Sequence, residues 1–159
     1  MTTASVCPKL LQAVSETFET MIFTQVVLWN QPPGDLSKSS AAVPPRSYWC
    51  SIPVISPLKG SMLMIIPATL AVEITKNLYG WTDNAELTET VELDAIAELV
   101  NTISGRLLSF LLPEDQSFEL GLPETSETPL EYPQESAVCK FAAGEDTFAC
   151  ILTGDLATL

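Results

Sequence analysis

The chain has 159 residues, which is enough for one domain with a sizeable core, and its 47% apolar composition excludes a disordered chain. Twenty acidic side chains against seven basic ones give a formal net charge of −13. Because nucleic-acid phosphates and anionic membrane surfaces attract lysine and arginine, this balance makes both of them poor partners, whereas a partner with a basic site is easier to accommodate.

In the first half of the chain, helical spacing of apolar residues runs from Leu10 to Phe23. The next segment, 30–45, is NQPPGDLSKSSAAVPP and predicts a loop, because proline, glycine and serine dominate it. Two aromatic and β-branched runs follow, Tyr48–Ile55 and Ser61–Ile66, joined by SPLKG. They predict a β-hairpin.

A second helix is predicted for ATLAVEITKNLYG, which follows Pro67 and is closed by Gly80. The longest periodic segment runs from about Thr88 to Leu112 and is stopped by Pro113. These two segments predict consecutive helices in the middle of the chain.

The last third begins with an acidic, proline-rich stretch, for which we predict a short strand around Phe118–Leu122 and then a surface loop. Strands at Ala137–Ala142 and Thr147–Thr153 flank AGED and predict a second hairpin. The order helix, hairpin, helices, hairpin predicts an α+β domain whose largely antiparallel sheet is covered by the helices. A helix followed by strands occurs in each half, so a distant duplication stays open.

Several kinds of site are excluded by the residue types present. The sequence contains no histidine, which excludes histidine general bases, Ser-His-Asp triads and histidine metal sites. No CxxC pair, GxGxxG or GxxxxGK[ST] occurs, so nothing indicates a zinc site or a nucleotide cradle. We therefore expect this chain to bind no metal ion.

The cellular compartment is predicted from two negative signals. The N-terminus lacks the pattern of a signal peptide, and the longest apolar run, Met62–Val72, is too short for a membrane span and is interrupted by Pro67. We therefore expect a cytoplasmic protein. Its four cysteines would then be reduced thiols, three of them in apolar surroundings. They are Cys7, Cys50, Cys139 and Cys150.

The long predicted helix separates two faces when its residues are placed about 100° apart. Asp94, Glu98, Asn101 and Gly105 fall within roughly 60° of one another and form one stripe. The opposite side is apolar. It contains Ile96, Leu99, Val100, Ile103, Leu107 and Phe110.

The composition of this stripe is unusual for a face selected for helix stability alone. Asn101 is a middling helix former, and Gly105 costs about 1 kcal/mol relative to alanine. Glu98 and Asn101 are spaced i, i+3, so their side chains are neighbours, and the missing Cβ of Gly105 lets another chain approach closely. The stripe is typical of a contact surface, although an ordinary solvated face remains the alternative.

The segment DAIAELVNTISGRLL, Asp94–Leu108, closely resembles the signature helix of the CheC/CheX/FliY chemotaxis phosphatases, whose motif is Glu-x-x-Asn. The preceding KGSMLMIIPATLAVEITKNLYG resembles the corresponding segment of CheX, and the layout fits over residues 10–155. CheX has one such motif and CheC has two. Since AVSETFETMIF in the first helix has none, the resemblance is greatest to CheX.

The resemblance implies one CheX-like domain over residues 1–159, with an α/β fold in which two long helices flank the sheet, and a homodimer. It implies hydrolysis of the phospho-aspartate of a CheY-like response regulator. Asn101 would orient the attacking water and Glu98 would pair with the active-site lysine of the regulator. Asp94 and Gly105 would contact the partner, and Mg²⁺ would be held by the receiver domain, so that this chain binds no cofactor.

Two other functions stay open at this point. The first is a noncatalytic interaction module, like the flagellar-switch relatives of the family, although the presence of both Glu98 and Asn101 argues against it. The second is a small-molecule binding domain between helices and sheet, which a cluster of buried polar groups would favour. The aromatic residues Trp49 and Trp81 are interpreted as core or dimer contacts rather than as a ligand platform.

Overall fold

The structure is a computed structural model that describes residues 2–29 and 46–159. The predicted loop at 30–45 lies outside the described residues. The helical elements are α1 (Thr2–Thr17), a π-helical turn (Phe18–Ile22), α2 (Ala68–Tyr79), α3 (Glu89–Leu111) and a 3₁₀ turn (Asp155–Thr158). The strands are β1 (Val26–Leu28), β2 (Ser47–Ser56), β3 (Gly60–Pro67), β4 (Glu119–Leu120), β5 (Glu124–Ser126), β6 (Ala137–Ala143) and β7 (Asp146–Gly154).

The seven strands form one antiparallel sheet in the order β1-β6-β7-β3-β2-β4, with β5 pairing beside β4 on the same edge of β2. The predicted α+β class and both predicted hairpins are confirmed. The strand predicted around Phe118–Leu122 is shorter than expected, since only Glu119 and Leu120 pair with β2. The sequence analysis missed β1 and β5, which are three residues each and lie at or near the sheet edges.

The core lies between the helices and one face of the sheet. Alternate residues of β2, from Tyr48 to Val54, point into it, as the period of a strand requires. Phe148 of β7 stacks on Phe18 with ring centroids 5.1 Å apart and lies 5.3 Å from Phe141. The predicted apolar face of α3 is buried here, with Phe110 at its margin. Each such aliphatic side chain contributes about 1.5–3 kcal/mol when it is fully buried.

Helix α1 begins at Thr2, eight residues before the predicted start. Proline is usually tolerated only in the first turn of an α-helix, but Pro8 lies beyond the first turn of α1. The early turns are held by burial of Val6 in the core and by a disulfide between Cys7 and Cys139 of β6. The tertiary contacts therefore override the local signal of the proline.

The disulfide corrects the expectation of four reduced thiols, which is wrong for Cys7 and Cys139. Cys50 and Cys150 are free and buried, as expected. Burial raises the pKa of the Cys50 thiol to about 12, and it also raises the pKa of the Cys150 thiol. Because the thiolate is the reactive form, these two residues are inert at neutral pH.

The opposite face of the sheet is apolar across its middle strands. Val138 of β6 pairs with Ile151 of β7, which pairs with Leu63 of β3. Leu63 and Ile151 are buried, whereas Val138 and Ile55 are exposed. Within the described residues, the helices that form the core pack on the other face of the sheet and not on this one.

The N-terminus of α3 is capped by Thr88, whose hydroxyl accepts a hydrogen bond from the Val91 backbone N–H at 3.2 Å. We expect Thr88→Ala to lower the free energy of unfolding by about 1 kcal/mol, because a backbone donor loses its partner. Urea denaturation checks this, with the exposed neighbour Thr90→Ala as the matched control. Equal stabilities of the two variants would contradict a role for the cap.

Candidate functional site

The candidate site lies on the solvent face of α3, a helix that packs against α1 on one flank and α2 on the other. Asp94, Glu98 and Asn101 are exposed, and Gly105 is half-buried. The structure therefore brings all four residues together on one face, as the helical spacing predicted. We call these four residues the α3 stripe.

The side chains of Glu98 and Asn101 are free to meet a partner. In the part of the chain that the structure describes, neither side chain makes a hydrogen bond or an ion pair. Besides its hydrogen bond in the backbone of the helix, the Glu98 carbonyl accepts a hydrogen bond from the Thr102 hydroxyl at 3.0 Å. A carboxylate and a carboxamide are thus presented side by side without a bond that would have to be broken before binding.

The described part of the structure gives no steric reason for a glycine at position 105. A Cβ built on Gly105 meets none of the described residues within 4 Å. Its conformation is that of an ordinary helical residue, for which alanine is preferred by about 1 kcal/mol. The open space above Gly105 is therefore available to another molecule.

Charge is distributed unevenly along α3. In its first turn, Glu89 lies 3.5 Å from Arg46, which also binds Glu127 at 2.8 Å. No such ion pair reaches Asp94 or Glu98 among the residues at 2–29 and 46–159. The stripe therefore presents two uncompensated carboxylates.

Two neighbouring groups border the stripe. On the α1 flank, Arg106 lies 3.4 Å from the Glu16 carboxylate. Another border is formed by Tyr79, the last residue of α2, whose pKa is raised first by burial and then by the carboxylates of Glu98 and Asp94. Tyr79 is a site neighbour that the sequence analysis missed, because spacing along one helix does not reveal which residue of another helix packs beside it.

The two tryptophans singled out by the sequence do not belong to the helix–sheet core. Trp49 is half-buried on the outer face of β2, and Trp81 packs on Tyr79 with ring centroids 5.0 Å apart. The core half of the interpretation is therefore wrong for both residues, and a dimer contact stays a prediction. Trp81 instead lies beside the candidate site.

A small-molecule site between helices and sheet gains no support from the three buried hydroxyl groups of the helices. Thr17, Thr75 and Ser104 each donate their hydroxyl to a carbonyl of their own helix, at 2.7–2.8 Å. Their hydrogen bonds are made within their own helices and do not converge on a cavity.

The structure also contains, in its described residues, no helix long and apolar enough to cross a membrane.

The comparisons with known proteins agree with this architecture. The family model of the chemotaxis phosphatase CheX matches residues 48–141, which is more than half of the chain. No curated protein matches the sequence.

Solved structures show the same fold at low sequence identity. The chemotaxis protein CheX from Desulfovibrio desulfuricans superposes with a TM-score of 0.72 at 15% identity, over 95% of this chain and 99% of that one. CheX from Vibrio vulnificus gives 0.70 at 17% identity, over 93% and 97%. A chain of the CheX–CheY–BeF₃–Mg²⁺ complex from Borrelia burgdorferi gives 0.65 at 13% identity, over 92% and 95%. By its matched segment and its fold, this chain belongs to the family of the chemotaxis phosphatase CheX.

Proposed function

We propose that this protein hydrolyses the phospho-aspartate of a CheY-like response regulator. The observation that carries the proposal is the pair of Glu98 and Asn101, exposed side by side and unpartnered within the described residues on α3 of a CheX-family chain. The Borrelia burgdorferi structure contains CheY, BeF₃ and Mg²⁺, which supports a CheY-like partner. We propose that the receiver domain, rather than this chain, holds Mg²⁺.

Asn101 is proposed to orient the attacking water. Its amide would accept or donate a hydrogen bond to a water in line with the scissile phosphorus–oxygen bond. The water oxygen bonds to phosphorus, the aspartate carboxylate leaves, and inorganic phosphate is released. An acyl phosphate has a good leaving group, so positioning can replace a strong base, as a carboxamide does in GTPases.

Glu98 is proposed to pair with the active-site lysine of the receiver. A carboxylate without a competing ion pair in the described residues can form a charge-assisted hydrogen bond with that ammonium. Asp94, one turn before Glu98, would add to the negative field. Together they would fix the receiver so that Asn101 enters its active site.

The direct test is the decay of a phosphorylated CheY-like receiver with and without this protein, across the receivers of the same cell. Acceleration with at least one receiver supports a phosphatase. Binding without any acceleration would overturn the hydrolytic function and favour the noncatalytic interaction module. The absence of both binding and acceleration would overturn the partner as well.

Gly105 offers a test in which stability and function change in opposite directions. We expect Gly105→Ala to raise the free energy of unfolding by about 0.5–1 kcal/mol, since its Cβ meets no atom of the described residues within 4 Å. The same Cβ would intrude on a closely approaching receiver and weaken binding by about tenfold. Thermal unfolding and titration of the receiver measure both effects.

The control for Gly105 is Ser109→Ala, one turn further along the exposed face. We expect this variant to bind the receiver as the unmodified protein does. If Gly105→Ala also binds with full affinity, the glycine is not needed for contact with the partner.

We further propose that the protein is a cytoplasmic homodimer, in which the Cys7–Cys139 disulfide would be an exception to the reduced state of most cytoplasmic thiols. The sheet face opposite the core supports an interface, because it carries the exposed Val138 and Ile55 and the half-buried Trp49. Exposed apolar side chains on a sheet face are a feature of many subunit interfaces. Sedimentation equilibrium should give a mass of about twice the chain mass of 17.2 kDa, whereas a monomer at micromolar concentration would contradict the dimer.

A further inference from the structure

An aromatic pair is built into the turn that ends α2. Gly80 adopts a left-handed conformation with φ +71°, and the Trp81 backbone N–H bonds to the Lys76 carbonyl at 2.8 Å. This reversal places the Trp81 ring on the Tyr79 ring, with centroids 5.0 Å apart and planes 32° apart. The closing glycine thus positions two aromatic rings immediately after the helix.

The pair is not part of the core. Tyr79 is 41% exposed, Trp81 is half-buried, and neither belongs to the main apolar cluster. A tyrosine needed only to end a helix would not have to be this large, since Gly80 already closes it. The exposed ring area is therefore available to a partner.

The aromatic pair borders the acidic end of the α3 stripe. Tyr79 is the last residue of α2, and α2 packs directly against α3, the helix that carries Glu98 and Asp94. In agreement with this packing, the carboxylates of Glu98 and Asp94 raise the pKa of the Tyr79 phenol, after the larger effect of burial. No lysine or arginine forms an ion pair with either carboxylate in the described parts of the chain. Aromatic faces and free carboxylates are thus adjacent on one surface.

This combination suits a basic side chain. A carboxylate binds the ammonium group by charge, and an aromatic face attracts the same cation through its quadrupole while covering the aliphatic stem. A small neutral or anionic group would gain nothing from the arrangement. The chemistry of the surface therefore selects a basic side chain, lysine or arginine, and the lysine that the proposed function pairs with Glu98 meets this requirement.

We propose that Tyr79, supported by Trp81, forms the second half of the partner-binding surface and packs on the lysine side chain of the receiver that pairs with Glu98. This proposal rests on the proposed phosphatase function. It assigns Tyr79 to affinity and receiver choice, and leaves the orientation of water to Asn101. Tyr79 is thus a specificity residue that does not touch the reacting atoms.

The experiment measures binding of a beryllofluoride-activated CheY-like receiver and dephosphorylation of the same receiver. We expect Tyr79→Leu to raise Kd about tenfold and to leave kcat at saturation within about twofold, because only a cation–aromatic contact is lost. Tyr79→Phe keeps the ring and should bind like the unmodified protein. Tyr132→Leu is the matched control, because Tyr132 is 43% exposed in the loop between β5 and β6.

A double-mutant cycle identifies the contact. With the active-site lysine of the receiver replaced by alanine, Tyr79→Leu should cause no further loss of affinity, since its partner group is gone. The inference is overturned if Tyr79→Leu keeps full affinity, or if its loss persists unchanged against the lysine-free receiver. If Tyr79→Leu unfolds, Trp81→Leu takes its place in the same cycle.

The cycle also separates this inference from the function on which it rests. If the unmodified protein binds no activated receiver, both the proposed function and the role of Tyr79 are overturned. If it binds and dephosphorylates a receiver, and the Tyr79 variants have the same Kd as the unmodified protein, only the role proposed for Tyr79 is overturned.

Discussion

Replacing Asn101 with alanine should abolish most of the catalysed dephosphorylation while leaving the fold and receiver binding intact. We expect a fall in kcat of about 100-fold or more, the usual effect of removing one oriented polar group that acts in the transition state. The Asn101 side chain has no bond within the described residues, so its loss leaves no group of this chain unpaired. Alanine is also the better helix former, so stability should not decrease.

Three measurements on the same preparation check this expectation. They are the decay of the phosphorylated receiver, the Kd for its beryllofluoride form, and Tm. The control is Thr90→Ala, an exposed residue on the same face about 16 Å along the helix axis from Asn101. An Asn101→Ala protein that retains full activity would refute the role assigned to this carboxamide.

Neutralising Glu98 should act on affinity first. We expect Glu98→Gln to weaken receiver binding by about 2 kcal/mol or more, roughly 30-fold in Kd, because the lysine of the partner would be buried without its counter-charge. The defect in kcat at saturating receiver should be smaller than that of Asn101→Ala. If the pair of Glu98 and the receiver lysine is accessible to solvent, added salt should reduce the difference in Kd between Glu98→Gln and the unmodified protein.

The control for Glu98 is Glu73→Gln, which removes an exposed glutamate of α2 and gives the same change in net charge. Equal losses of affinity in both variants would mean that total charge, rather than a specific pair, governs binding. An unchanged Kd in Glu98→Gln would argue against the lysine pair itself.

The sequence was sufficient for the α3 stripe because 23 residues of helix impose a regular period on both faces. The exposed and buried positions of the structure follow that period, from Asp94 to Gly105 on one side and from Ile96 to Leu107 on the other. The two hairpins were likewise predictable, because apolar and β-branched residues recur along their strands on either side of a short turn. These features are encoded by residues close together in the chain.

Features that depend on distant partners were not predictable. β5 is polar and reads as a loop, and it is a strand only because β2 offers a free edge to Glu124–Ser126. Tyr79 reaches the site through the packing of α2 on α3, which no spacing records. Its only sequence signal is the glycine between two aromatic residues, Tyr79 and Trp81.

The cysteine pairing shows the same limit most clearly. Cys7 and Cys139 are 132 residues apart and carry no motif, so their connectivity could not be deduced from sequence. The burial of the other two thiols was predictable because apolar strand residues surround them. Local composition thus indicated burial, whereas only the fold indicated the pair.

The Cys7–Cys139 disulfide closes almost the whole chain into a covalent ring. A protease that cuts one peptide bond anywhere between these residues opens the ring but releases no fragment. The two pieces stay joined at α1 and β6, and they separate on a denaturing gel only after reduction. The segment from β2 to α3, including the entire α3 stripe, lies inside this ring, so a single nick there would leave the functional surface tethered to the rest of the protein.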